Sequence, residues 1–435
     1  MRWTGDVENS ERPTPVWEPP RPAAALAMRR LRHLLRVLGP AWIVMLADVD
    51  AASVVTAAQA GSSFGYAMLL PLLLLIPVLY LVLEMTARLA IVTGLGHAEL
   101  IRERFGMRWA AVAVGSMVII DLLAYVAEFA GIVLGASLVG ISAGVAIGGA
   151  LVLHAAMVLT GGYGRFERMA LVLSFGLFAF VPLALVAHPE PGAVLAGLSP
   201  VQPFGRAGYL DLVVANVGAV IMPWMLFYQQ AATVDKGLGP GDLKAARWET
   251  LLGAIVSELL MAAIVIAAAA ATANGPLRAV AAGGLALPAG LAALASGGTG
   301  ILIAIGMVGS GLLAATVISL SSAWAWGELL RWPHSLNLSL RRAPAFYVLY
   351  LAEIVPAAIV ALLAQDLVSV VINAMVLNVV VLAIPLAFLI RISGDRSVLG
   401  DLVNSARRTA LLWMLTAGLL ALGLWSTISV FRGGG

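Results

Sequence analysis

Long apolar stretches recur along the chain at the length and spacing of membrane-spanning helices. Crossing the hydrocarbon core of a bilayer takes about twenty mostly apolar residues in a helix. Lipid offers the backbone no hydrogen-bond partner, so each stretch must be helical. The pattern predicts an all-α membrane protein with about eleven transmembrane helices. We call them spans 1 to 11 and place them at residues 40–62, 66–94, 109–140, 142–161, 166–188, 210–232, 249–273, 297–326, 344–364, 367–391 and 409–430.

Spans 1 and 6 are interrupted near mid-depth. Span 1 contains a polar island at Asp48–Ser53, and span 6 contains Pro223 within Gly218–Trp224. Proline removes a backbone donor and clashes with the preceding turn, so a helix bends or unwinds there. Matched interruptions at the start of two five-helix halves are typical of inverted-repeat transporters with a site at the midplane. We therefore predict a LeuT-like 5+5 inverted repeat over residues 38–392, with repeats of roughly 38–190 and 208–392.

Arginine and lysine residues are concentrated in every second connection between the spans. Basic loops mark the cytoplasmic side of a membrane protein. The alternation predicts a multi-pass protein of a bacterial-type cytoplasmic membrane, with the N-terminus inside and the C-terminus outside. Residues 1–37 would form a disordered basic cytoplasmic tail, and residues 393–435 would hold span 11 and a short C-terminal tail. The connections in question carry Arg102, Arg104, Arg108, Arg165, Arg168, Lys236, Lys244, Arg247, Arg331, Arg341, Arg342, Arg391, Arg396, Arg407 and Arg408.

Composition supports a membrane protein and excludes several functions. The 435 residues are 61% hydrophobic and only 11% charged, whereas soluble domains carry roughly 25% charged residues. Cysteine is absent, which excludes disulfides and thiolate metal sites. The five histidines do not cluster, and neither a metalloprotease motif, a serine-hydrolase elbow nor a phosphate-binding loop is present. We expect a non-enzymatic carrier with no cofactor, no nucleic-acid partner and no obligate protein partner.

Asp50 is the strongest candidate for chemistry. A carboxylate at mid-membrane costs roughly 2.5–3.5 kcal/mol on insertion scales, so such residues tend to be functional. Asp50 lies about eleven residues into span 1, at the predicted break, where its carboxylate and freed carbonyls could hold a cation. The alternative is that it only caps the second half-helix. Asp48, two residues earlier, would line the access path or support the site, or else be structural.

Two motifs resemble the NRAMP family of divalent-metal transporters. Residues 50–66 resemble the family's first helix, which reads Asp-Pro-Gly-Asn and then Gln-Ala-Gly-Ala-Xaa-Phe-Gly-Tyr. Gly218–Trp224 resembles the family's Gly-Ala-Thr-Val-Met-Pro-His in span 6. Weaker similarity lies at Thr93–Leu100, in span 7 and at 311–315, so that the resemblance covers roughly residues 38–392. It implies a divalent metal cation as cargo, with membrane lipid as the other partner.

The resemblance implies a metal site and also shows where this chain departs from the family. Asp50, Ala219 and Met222 match the family's carboxylate, carbonyl and thioether ligands. Ser53 stands in place of the asparagine ligand, and Asn378 lies one residue out of register with the glutamine ligand.

The proton route of the family is mostly missing. Glu128 matches one of its acids, but Tyr125 and Val118 stand at two others, and Trp224 replaces the histidine linked to proton movement. Asp121 lies seven residues before Glu128 on the same helical face, so that the two would line one proton or access path.

These departures favour a wider site for a cation that keeps some of its water. Magnesium retains several waters, and the departures are similar to those of bacterial NRAMP-related magnesium transporters, whereas the Met222 thioether favours manganese or iron. We predict secondary transport of Mg²⁺ and/or Mn²⁺ without tight proton coupling. One alternative is an ordinary proton-coupled Mn²⁺/Fe²⁺ symporter. A more remote one is a cation-coupled carrier of organic solutes with a LeuT-like fold, which the charge of Asp50 argues against for an anionic substrate.

Overall fold

The computed structural model describes residues 39–159, 161–274, 281–282, 285–363 and 367–433. Almost all of this chain is helical, and the helices follow the apolar pattern closely. The predicted tail of residues 1–37 lies outside the described residues.

Five predicted spans make up the first repeat. Span 1 consists of two half-helices, and spans 2 to 5 follow as long or jointed helices, with one short helix between spans 2 and 3. Their bounds are α1 Pro40–Ala47, α2 Ala51–Phe64, α3 Leu69–Thr93 after a 3₁₀ turn at Gly65–Met68, α4 His97–Phe105, α5 Met107–Ser137, α6 Ala143–Leu159, α7 Tyr163–Ser174, a 3₁₀ turn at Phe175–Ala179, α8 Phe180–Val186 and α9 Pro191–Gly197.

The second repeat again begins with a broken span, and one further helix follows it. Its bounds are α10 Tyr209–Val220, α11 Pro223–Asp235, a 3₁₀ turn at Pro240–Asp242, α12 Leu243–Asn274, α13 Ala289–Leu294, α14 Gly297–Leu330, α15 Pro344–Ala352, α16 Ile354–Leu363, α17 Leu367–Ser393, α18 Arg396–Leu399, a 3₁₀ turn at Gly400–Leu402 and α19 Ala406–Gly433. Between α12 and α13, strands β1 Ala281–Ala282 and β2 Leu285–Ala286 pair antiparallel.

The predicted fold class is confirmed. In the described part of the chain, eight helical stretches are long and apolar enough to cross a membrane, and two shorter apolar helices accompany them. Each of the eleven predicted spans corresponds to a helix or to a pair of helices. Span 9 is jointed because Pro356 lacks the amide that would bond to the carbonyl of Ala352, where α15 ends.

Two glycines allow neighbouring helices to approach the broken spans closely. A Cβ atom on Gly131 of α5 would lie 2.2 Å from the Cβ of Ala51, the first residue of α2. A Cβ atom on Gly218 of α10 would lie 1.9 Å from the carbonyl oxygen of Met375 in α17. Both distances are far below a van der Waals contact, so only glycine fits at either position. α5 and α17 are thereby brought directly against the two breaks.

Candidate metal-binding site

The break in span 1 frees one carboxylate oxygen of Asp50. α1 ends at Ala47, and Asp50 has an extended backbone that makes it the N-cap of α2. Its Oδ1 accepts a hydrogen bond from the Ser53 amide at 2.6 Å, which is the standard capping geometry. Its Oδ2 is buried and has no hydrogen-bond partner among the described residues. The two roles considered for Asp50 are therefore compatible, because one oxygen caps the half-helix and the other faces the site.

The break in span 6 leaves backbone carbonyls that Asn378 satisfies. Ile221 and Met222 are extended between α10 and α11. The Asn378 side-chain amide of α17 donates to the carbonyl oxygens of Gly218 at 2.5 Å and Ile221 at 3.3 Å. Its Oδ1 is buried, and none of the described residues donates a hydrogen bond to it. Asn378 therefore reaches the site, with its nitrogen engaged by the break and its oxygen available.

A side-chain hydrogen bond joins the two broken spans. The Ser53 hydroxyl donates to the carbonyl oxygen of Ala219 at 3.2 Å, and both residues are fully buried. Since Ser53 also donates its amide to Asp50, the structure places three predicted ligands in one connected group. Each of them offers an oxygen atom.

Met222 is fully buried, but its sulfur already has a partner. The indole N–H of Trp224 donates to the Met222 sulfur atom at 2.9 Å. This contact is possible because Met222 is extended and Trp224 lies in the first turn of α11. Trp224, which stands in place of the family's histidine, is thus hydrogen-bonded to the sulfur of the predicted thioether ligand.

Glu128 of α5 reaches the first turn of α2. Its Oε2 accepts a hydrogen bond from the Ala51 amide at 3.0 Å, and its carboxyl group lies close enough to that of Asp50 for the two to interact electrostatically. The other oxygen, Oε1, is buried and has no hydrogen-bond partner among the residues that the structure describes. The two acids therefore face each other across the start of α2.

Asp48 and Glu258 form a second pair of acids beside the break. Gly253 of α12 packs against Met45, since a Cβ there would lie 2.8 Å from the Met45 Cγ. Glu258, little more than one turn further along α12, then lies level with the break. The Glu258 carboxyl group lies near enough to that of Asp48 for the two to interact electrostatically. All four oxygens of the pair are buried and have no hydrogen-bond partner within the residues that the structure describes.

Asp121 belongs to a different polar group from Glu128. Its Oδ2 accepts a hydrogen bond from the Ser322 hydroxyl of α14 at 3.1 Å. One turn further along α5, the Tyr125 hydroxyl lies 3.2 Å from Oε2 of Glu353 and 3.0 Å from a second serine hydroxyl of α14. Asp121 and Tyr125 thus share one hydroxyl-rich cluster with Glu353, between spans 3, 8 and 9.

From the sequence, Glu258 of span 7 and Glu353 of span 9 are expected to be either relay or vestibule acids or buried, partnered structural charges. The signal for Glu353 was the serine-rich run Ser319–Ser322 in apolar span 8, which requires polar partners. Nothing comparable marked Glu258. Among the described residues, no three histidine, cysteine or acidic side chains converge to hold a metal, so a cation here must also use carbonyl, hydroxyl and amide oxygens.

Comparisons with known proteins agree with this architecture. The family model described as "Natural resistance-associated macrophage protein-like" matches residues 41–429. The divalent metal cation transporter MntH of Bacillus subtilis is 27% identical over 425 residues, covering 93% of this chain and 95% of that protein. The fold is similar to that of the Eremococcus coleocola manganese transporter, with a TM-score of 0.74 at 20% identity over 98% of this chain and 91% of that one. It is also similar to a Na⁺-coupled sialic acid symporter, with a TM-score of 0.61 at 11% identity over 93% and 96%.

Proposed function

The chain belongs to the Nramp family, whose model matches residues 41–429, and on that premise we propose that it carries Mg²⁺ and/or Mn²⁺ across a membrane without tight proton coupling. The family membership confirms the resemblance seen in the sequence. Since the matched relatives are transporters, the prediction of a multi-pass membrane carrier rather than an enzyme is also confirmed. The metal is cargo and not a cofactor.

A set of buried oxygens without partners supports cation binding at the two breaks. Asp50 Oδ2, Glu128 Oε1 and Asn378 Oδ1 lie in the protein interior, and no hydrogen-bond donor from the described part of the chain reaches them. Burying a polar atom without a partner is costly, and more so when the atom carries charge. A cation would compensate that cost at all three atoms. This is the observation that carries the proposal.

The spacing of two further oxygens suits a small, hard cation. Mg²⁺ binds oxygen at about 2.0–2.1 Å in an octahedron, which places neighbouring ligands about 3.0 Å apart. Ser53 Oγ and the Ala219 carbonyl oxygen are 3.2 Å apart. The pair could bind one ion as neighbouring ligands after a shift of a few tenths of an ångström, once the hydroxyl hydrogen turns away.

The contact between Trp224 and Met222 supports a broad rather than a soft-metal selectivity. A thioether sulfur favours manganese or iron over magnesium when it coordinates directly. Here the sulfur accepts an N–H at 2.9 Å, so a metal would have to displace that donor. The site is then dominated by oxygen ligands, for which magnesium and manganese compete more evenly.

Loss of the family's acids supports weak proton coupling. Tyr125 stands at one of those positions and holds its hydroxyl hydrogen near pH 7, while Val118 at another cannot carry a proton.

A specific observation favours proton-coupled Mn²⁺ transport as a second candidate. Asp121 and Glu353 share a hydroxyl-linked cluster in α5, α14 and the joint of span 9, and the relatives are named for divalent metal cations and manganese.

We place the chain in a bacterial-type cytoplasmic membrane, with the N-terminus inside and the C-terminus outside, on the alternation of basic loops. Asp48 and Glu258 would line the access path beside the site, as the remaining unpartnered acids at the break.

Uptake by the purified full chain in proteoliposomes tests the proposal. Mg²⁺, Mn²⁺ and Ca²⁺ compete for entry while an internal dye reports pH. We expect Mg²⁺ and Mn²⁺ to compete within about tenfold of each other, with no change of internal pH. Uptake of Mn²⁺ with acidification and no competition by Mg²⁺ would favour the second candidate, and no uptake of any divalent cation would reject both.

A further inference from the structure

Three arginines converge on one buried glutamate where α3, α12 and α19 meet. Glu84 of α3 is 1% exposed. Its Oε1 lies 2.9 Å from Arg247 of α12, and its Oε2 lies 2.5 Å from Arg408 of α19 and 3.4 Å from Arg88. Three guanidinium charges against one carboxylate leave a formal excess of two positive charges. Arg88 also donates a hydrogen bond to the side-chain oxygen of Asn404 at 2.6 Å. Asn404 is neutral, so the excess of positive charge is unchanged.

A cavity opens beside this cluster, which we call the basic groove. Its volume is about 580 Å³, and its lining includes Tyr80, Lys244, Arg247 and Trp248. Lys244 is exposed and Arg247 is 38% exposed. Lys244 adds a fourth positive charge beside the three arginines, and since the Asp242 carboxylate offsets it, the formal excess stays at two positive charges. Asp242 lies in the preceding turn, where it accepts a hydrogen bond from the Gly239 amide at 3.0 Å.

The exposed face of α12 is basic and aromatic near its N-terminal end and apolar further along, in the same order as the headgroup and acyl chains of a phospholipid. Lys244, Trp248, Leu252 and Leu259 follow each other at helical spacing and are all exposed, with Trp248 at 54%. Lysine and tryptophan mark the membrane–water boundary, and the leucines behind them face acyl chains. The C-terminal end of α3 and the first turn of α19 lie at the same edge of the membrane, because Arg88 and Arg408 share the Glu84 carboxylate.

We propose that the basic groove binds the headgroup of an anionic glycerophospholipid, with its acyl chains along Leu252 and Leu259. Basic pockets between helices at the cytoplasmic membrane edge suit anionic headgroups. Phosphate complements the uncompensated charge, and the guanidinium of Arg247 retains donors beyond the one given to Glu84. The groove is lined by α3 of the first repeat and by α12 of the second, and Arg247 connects it through Glu84 to Arg408 of α19. This inference rests on the proposed orientation of the chain in the membrane and does not depend on which metal the protein carries.

Native mass spectrometry of the purified full chain tests the proposal. The protein in detergent is mixed with dioleoyl-phosphatidylglycerol or with dioleoyl-phosphatidylcholine, and bound lipid is counted. Each basic residue near a lipid phosphate strengthens binding about fivefold. We expect Lys244→Gln to lower retention of phosphatidylglycerol about fivefold and Lys244→Gln/Arg247→Gln about 25-fold, with phosphatidylcholine unaffected. Arg342→Gln removes the same charge from an exposed basic loop elsewhere and serves as the matched control.

Several results would overturn the proposal. One is equal retention of the two lipids by the wild-type protein, and another is an equal loss for the control variant and for Lys244→Gln. Displacement of bound lipid by millimolar glycerol 3-phosphate would instead identify a site for a soluble anion. The double variant loses the contact between Arg247 and Glu84, so its folding must be checked in a melt. Lys244→Gln alters only an exposed side chain, and its lipid retention is sufficient to test the proposal.

Discussion

Replacing Asp50 by asparagine or by alanine separates its two roles. Oδ1 caps α2 through the Ser53 amide at 2.6 Å, and Oδ2 has no partner. Asparagine keeps a capping oxygen and removes the charge, whereas alanine removes both. A cap of this kind is worth about 1 kcal/mol. We therefore expect Asp50→Asn to keep the stability of the wild-type protein and Asp50→Ala to lose about 1 kcal/mol, which lowers the unfolding temperature by about 2 °C in a chain of this size.

Both variants should lose metal transport. Groups that only support a metal ligand cost about 10–100-fold in affinity when they are removed, so that loss of the carboxylate ligand itself should cost at least about 100-fold. Mn²⁺ uptake into proteoliposomes, measured over a range of concentrations, reports the loss, and a fluorescence melt in detergent reports stability. Asp401→Asn removes an exposed carboxylate elsewhere and controls for net charge. Wild-type uptake by Asp50→Asn would refute the metal-binding role, and equal melting of Asp50→Asn and Asp50→Ala would refute the capping role.

Three further changes have distinct expected outcomes. Gly218→Ala drives a methyl group to within 1.9 Å of the Met375 carbonyl and should cost at least about 1–3 kcal/mol of stability in a thermal melt. Trp224→Phe removes the indole donor from the Met222 sulfur and should shift uptake competition several-fold from Mg²⁺ toward Mn²⁺. Burial lowers the pKa of His97 to about 4, against about 6.5 in an unfolded chain. The unfolded chain therefore binds the proton first, and stability falls as the pH drops from about 6.5 to 4. By pH 5 the loss is about 2 kcal/mol, and in His97→Gln a pH series of melts should lack it.

Each of these expectations has a control in the same chain. Gly205→Ala introduces a methyl group into open space and should leave the melt unchanged, so equal melting of the two alanine variants would contradict the close contact of α10 and α17. Trp109→Phe alters an exposed tryptophan. A selectivity change of the same size there would show that the effect of Trp224→Phe is unrelated to the sulfur contact. Equal acid sensitivity of His97→Gln and the wild-type protein would contradict the assignment to His97.

The course of the helices could be predicted from the sequence because lipid imposes a strict length and helical conformation on every apolar span. The breaks were also predictable, since Pro223 and the polar residues Asp48 and Asp50 leave few alternatives. What a side chain meets across helices could not be predicted in the same way. The resemblance predicts Asn378 as a site residue. Its side-chain nitrogen donates hydrogen bonds to carbonyls of span 6, and these bonds depend on how α17 crosses α10.

Two contacts of the candidate site have no counterpart in any sequence pattern. Trp224 reaches Met222 because the backbone of Met222 is extended where α11 begins, a conformation that the residue types alone do not specify. Glu258 lies level with Asp48 because α12 packs along α1, and neither hydropathy nor spacing reports which face of a buried helix meets which neighbour. Physical chemistry predicts that a buried acid needs compensation, but the partner follows from tertiary packing.

The hydrogen bond between Ser53 and Ala219 bears on the return half of the transport cycle. The transport proposed above uses no second driving ion, so the carrier must turn around empty as well as loaded, since otherwise it would only exchange one ion for another of the same kind. Its two broken helices need some link when no metal bridges them. The serine hydroxyl supplies a neutral one, worth about 1 kcal/mol. It is strong enough to hold the break ends in register and weak enough to yield to an incoming ion. An alanine at this position should therefore slow net flux more than it slows exchange.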